Sequence, residues 1–108
     1  MQVFQRDSAD RLTTLPTLDE YGLLRQGATW VALSPIEARL IEAFLSRPGR
    51  VIGRSTLAHA GWPNGVPSVR SVDSRIKVLR KRVSPLAVRI HTVRGHGYLA
   101  EFNARRFA

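Results

Sequence analysis

With 108 residues the chain has room for one domain with a modest core, and its 44% hydrophobic content suits a folded globule rather than a disordered tail. It contains no cysteine, which excludes a disulfide scaffold and thiol chemistry, and no apolar run approaches the roughly eighteen residues of a membrane-spanning helix. The net charge of +9 is unevenly held: residues 1–49 carry five basic and six acidic side chains, residues 50–108 twelve and two.

A near-neutral first half joined to a strongly basic second half points to a polyanionic partner. Nucleic acid comes first and an anionic membrane surface next; a merely solvated basic surface is the plain alternative. The opening "MQVFQRDSAD" lacks the apolar stretch of a signal peptide, which points to the cytoplasm. Residues 1–16 show no sustained periodicity and end in a proline, so they read as a tail or a weak edge strand. "LDEYGLLRQGATWVALS" predicts two short strands around a Gln26-Gly27 turn, with Leu23, Trp30, Val31 and Leu33 as apolar material.

At Ser34 the pattern becomes helical. "SPIE" puts Ser34 at the N-cap, Pro35 at the first helical position and Glu37 where a capping box needs its acid. Leu40, Ile41, Phe44 and Leu45 follow at helical spacing, and Pro48-Gly49 ends the run. A second short helix is predicted from Arg54 to Ala60, started by Gly53, with Leu57 turned inward. Trp62 reads equally well as a core plug or as a surface contact. "GWPNGVP" is then a connection stiffened by two prolines.

The third helix is predicted over residues 69–83, within "SVRSVDSRIKVLRKRVSP", which holds six basic side chains and one acid. Val72, Ile76, Leu79 and Val83 form one apolar stripe. At about 100° per residue the opposite face presents Arg70, Ser74, Lys77, Val78 and Lys81, flanked by Ser71 and Arg75. Ser68 caps its start and Ser84-Pro85 ends it. A purely solvated helix more often pairs glutamates with its lysines; this one has Asp73 alone. "AVRIHTVRGHGYLAEF" then predicts a hairpin over residues 88–102 with Arg94-Gly95-His96-Gly97 at its tip, and residues 103–108 are a C-terminal tail. Strands, three helices and a hairpin in this order predict an α+β winged helix-turn-helix over residues 17–102. In that fold the third helix enters the DNA major groove and the hairpin lies on the adjacent backbone or minor groove.

"LSPIEARLIEAFLSRPGRVIGRSTLAHAGW", "RSVDSRIKVLRKRV" and "IHTVRGHGYLAEF" together resemble the OmpR/PhoB family of transcription-factor effector domains. The resemblance implies backbone phosphate contacts at Arg54, Trp62, Arg70, Lys77, Arg80 and Thr92. It implies base-edge contacts at Ser71, Ser74, Arg75 and Val78, and a minor-groove arginine at Arg94. Lys81 joins the phosphate set by its place on the basic face. The loop of residues 61–68 matches one that touches RNA polymerase in some members, and two copies on tandem half-sites are what the family uses. Arginine forks and hydroxyls suit phosphate oxygens, and a hairpin arginine suits the potential of a narrow minor groove. Many members carry an arginine where this chain has Val78, which suits a thymine methyl instead. Members commonly carry an N-terminal receiver domain with a phosphorylated aspartate. Some thirty residues precede the helices here, so an effector domain without its receiver is expected.

Catalysis finds no foothold: there is no cysteine, no nucleophile elbow and no pair of carboxylates at useful spacing. His91 and His96 lack the further ligands of a metal site and read as hairpin residues; no cofactor is implied. The reading is a sequence-specific, double-stranded-DNA-binding transcription regulator. Its rivals are a non-specific nucleoid or RNA-binding module and a winged helix used for protein contacts.

Overall fold

The computed structural model describes residues 15–102. The tail expected at 103–108, and all but Leu15 and Pro16 of that expected at 1–16, lie outside the described residues. Strands β1 (Thr17–Leu18), β2 (Leu23–Gln26) and β3 (Thr29–Ala32) form an antiparallel sheet in that order. Helix α1 (Pro35–Ser46) follows, then β4 (Val51–Ile52), α2 (Arg54–Gly61), α3 (Val69–Arg82), β5 (Val88–Val93) and β6 (Gly97–Phe102). The last sheet is antiparallel in the order β4-β6-β5. This is the winged helix expected, with β1 and β4 as additions. Both are two-residue strands, too short to carry a periodicity of their own, and pairing with a longer neighbour defines them.

The core joins Leu24 from the first sheet, Leu33 just after it, Leu40, Ile41 and Phe44 from α1, Leu57 from α2, and Val88, Ile90, Tyr98 and Ala100 from the wing. The predicted stripe Val72, Ile76, Leu79 and Val83 is wholly buried against them. Trp30 is a correction: it is 55% exposed, and Leu24 holds the core place instead. Register explains this. Leu24 pairs with Val31 on the inner face, which puts the Arg25–Trp30 pair on the outer one.

The start of α1 is as predicted. The Ser34 N–H donates to Glu37 Oε1 at 2.9 Å, and the Glu37 N–H donates to Ser34 Oγ at 3.2 Å. Ser68 takes the N-cap position of α3 without a side-chain cap, another correction. Its Oγ lies 3.5 Å from Ser71 Oγ instead, so its side-chain partner among the described residues is another hydroxyl. In β5 the inside–outside alternation holds for Val88 through His91 and lapses at Thr92, which is exposed. At Thr92 the side chain meets the Arg80 guanidinium of α3 at the domain surface rather than the aliphatic core.

Candidate nucleic-acid interface

The outer face of α3 is basic because the inner face is filled with aliphatic side chains, leaving its charges only the solvent side. Arg70, Lys77 and Lys81 are exposed, and none has a hydrogen-bond or ion-pair partner among the described residues. A charged group left unpaired on a fixed helix face is available for an anion.

Two carboxylate-centred clamps hold the flanks of this face. On one flank, Asp73 Oδ1 accepts from Tyr98 Oη at 2.6 Å and from Arg54 Nε at 2.8 Å. This ties α3 to the wing strand β6 and to the first residue of α2. The Tyr98 hydroxyl, first of all, and then Arg54 hold the Asp73 carboxyl below its ordinary value of 3.8. Burial, and then the hydrogen bond to Asp73, push the Tyr98 hydroxyl up. On the same flank Arg80 donates from Nε to the Ile90 carbonyl at 2.8 Å and from Nη2 to Thr92 Oγ1 at 3.1 Å. Arg80 and Thr92 are therefore joined to each other, and Nη1 is the one nitrogen of the fork without a hydrogen-bond partner among the described residues.

On the opposite flank, Glu37 of α1 is completely buried. Its Oε1 lies 3.1 Å from Arg82 Nε, and its Oε2 lies 3.5 Å from Arg75 Nη1. The acid of the capping box thus also receives two arginines of α3. Beside it Trp62, Pro67, Ser68, Arg70, Ser71, Ser74, Arg75 and Val78 line an open groove of about 400 Å³. All four residues expected at base edges line it, together with Trp62, which is half-buried and packs on the core. Its three serine hydroxyls and one valine are short, so a polymer laid across the groove can come close to the helix backbone.

Arg94 stands apart at the wing tip, exposed, with no partner among the described residues. The carboxylate that could have restrained it, Glu101, is engaged by His91 Nε2 at 2.8 Å. Gly95 and Gly97 have φ of 80° and 138°, as a tight tip requires. Among the described residues no helix is long and apolar enough to cross a membrane, and no three His, Asp or Glu side chains gather as a metal site.

Local sequence hid Glu37, Arg82 and Tyr98. Their partners lie on other elements, and the one signal near them, the capping box, accounts for Glu37 without requiring its burial. The Asp73 clamp has a measurable consequence. A depressed folded-state value contributes stability above pH 4 or so, and that stability is lost as pH falls through the folded value. Asp73→Asn should thus unfold at lower urea than the parent at pH 7, and the gap should close on acidification to about pH 2. A gap independent of pH would deny Asp73 this role.

Residues 27–100 match the family described as "Transcriptional regulatory protein, C terminal". The chain is 42% identical over 74 residues to the phosphate regulon transcriptional regulatory protein PhoB of Rhizobium meliloti, covering 66% of this chain and 33% of that protein. It thus spans from about a third to about half of the length of the curated relatives it matches. Among solved structures it resembles the C-terminal domain of the nisin resistance regulator NsrR, with a TM-score of 0.69 and 32% identity over 78% of this chain and 88% of that one. It also resembles the Klebsiella pneumoniae RstA DNA-binding domain, solved in complex with the RstA box, with a TM-score of 0.65 and 28% identity, covering 80% and 90%.

Proposed function

Because the chain belongs to the family of transcriptional regulatory protein C-terminal domains, the OmpR/PhoB-type DNA-binding domains of response regulators, we propose that it reads double-stranded DNA sequence-specifically to regulate transcription. The observation that carries this is the outer face of α3, where unpaired Arg70, Lys77 and Lys81 border a groove of small side chains. The cations hold phosphates, joined by Arg54, Trp62, Arg80 and Thr92 at the edges. Ser71, Ser74, Arg75 and Val78 meet base edges in the major groove, with Val78 against a thymine methyl. Arg94 enters the minor groove, where its weakly hydrated guanidinium gains from the narrow A·T-rich potential.

One such module covers little DNA, so two copies act on adjacent half-sites. The loop of residues 61–68, mostly exposed, is the surface offered to RNA polymerase. Small side chains in the groove favour base reading over indiscriminate backbone binding, which would be served as well by an unbroken row of lysines.

Selection from randomised duplexes tests the proposal. The parent should retain a defined motif. Lys77→Ala should select the same motif with weaker affinity on all duplexes and a salt slope lower by about one unit. Indiscriminate retention would turn the reading into a non-specific binder, and no retention into a protein-contact module.

A further inference from the structure

Glu37 lies on α1, away from the outer face of α3, yet one end of its side chain meets the candidate groove. Its Oε1 is well supplied, by the Ser34 N–H and by Arg82. Its Oε2 is buried with no hydrogen bond among the described residues, and it forms an ion pair with Arg75 Nη1 at 3.5 Å. Arg75 is itself 38% exposed on the other side, where it lines the groove with Ser71, Ser74 and Val78. One guanidinium edge is turned to the carboxylate, and the Nε and Nη2 donors remain.

We infer that Glu37 is a positioning residue for base readout: it anchors the Arg75 guanidinium from behind, so that Arg75 presents its free fork to a guanine. The inference rests on the DNA-reading function proposed above. An unanchored arginine loses its rotamer freedom when it docks, whereas this one has already lost it in folding, so less is lost on binding. Two donors held in one plane match guanine O6 and N7, and no other base edge offers that pair of acceptors. Arg82, two helical turns along, keeps the buried carboxylate compensated when Arg75 adjusts to the DNA.

The test compares motifs selected by the parent, Arg75→Met and Glu37→Gln. The glutamine keeps an oxygen for the Ser34 N–H but offers no charge to Arg75. Both variants should lose discrimination for guanine at the same single position, on the order of tenfold, without a lower salt slope. A merely structural Glu37 would lower the melting temperature and leave the motif intact, which would overturn the inference. A motif unchanged in Arg75→Met would overturn it too, while leaving sequence-specific binding standing. A parent that selects no motif would sink both. Should Glu37→Gln fail to fold, nitrogen NMR of the parent decides: rotation about the Arg75 Nε–Cζ bond should be hindered without DNA, and free rotation refutes the anchor.

Discussion

Gly97→Ala is expected to destabilise the domain on the order of 3 kcal/mol or more, combining left-handed backbone strain with overpacking. Gly97 opens β6 at φ 138°, a conformation side chains rarely adopt. A Cβ there would lie 2.8 Å from Gly53 Cα and closer still to the Ile52 carbonyl oxygen. Both are backbone, and neither can swing aside. They belong to β4 and to the N-cap of α2, so relief requires β4 to leave β6, where Ile52 pairs with Tyr98. That displacement would also disturb the Tyr98 hydroxyl on Asp73. Gly95, two residues earlier, is the control. Its φ is 80°, and an added Cβ would meet nothing within 4 Å. Gly95→Asn should cost little, since asparagine tolerates the left-handed region. Thermal melting reads the contrast: a fall of at least about 12 °C for Gly97→Ala, given 4–8 °C per kcal/mol in a domain of this size, and a small shift for Gly95→Asn. Equal shifts would mean that turn geometry alone, and not the close approach of β4, selects glycine.

The second large effect is expected from Arg75→Ala combined with Arg82→Ala. Glu37, fully buried with both arginines in place, would then keep one backbone N–H on Oε1 and no cation at either oxygen. Stripping a buried charge of its partners costs about 3–5 kcal/mol. Each single substitution should cost much less than half of this, because the remaining arginine still faces the carboxylate and both arginines are partly solvated. The excess of the double over the summed singles measures how far the two share one partner. Adding Glu37→Gln should restore part of the loss, since a neutral amide needs no counter-charge. Additive single effects with no rescue would show that Glu37 does not depend on these arginines.

Much of this protein is legible along the chain because the responsible interactions are local. The Ser34–Glu37 capping box spans one turn, and the Val72–Ile76–Leu79–Val83 stripe repeats with the helical period. The glycines of "RGHG" announce the tip by the backbone angles they permit. The basic outer face of α3 follows from the same periodicity: once the stripe is buried, Arg70, Lys77 and Lys81 can only face outward. Strand placement was half legible. The hairpin around Gly27 was, but Leu24 rather than Trp30 entered the core, because a period of two offers two faces and only packing against the rest of the core chooses between them.

Tertiary structure alone decided what steadies the basic outer face of α3. Asp73 looks solitary in its helix, and its partners Arg54 and Tyr98 come from α2 and β6. Glu37 looks like a surface cap until α3 packs over it and brings Arg75 and Arg82 to its two oxygens. Gly97 looks like one of two turn glycines until β4 crosses beside it. Periodicity records which side of an element is buried but not which element buries it. Charge pairs and close backbone approaches between distant segments therefore leave no local pattern, and they arise only when the core sets the distances.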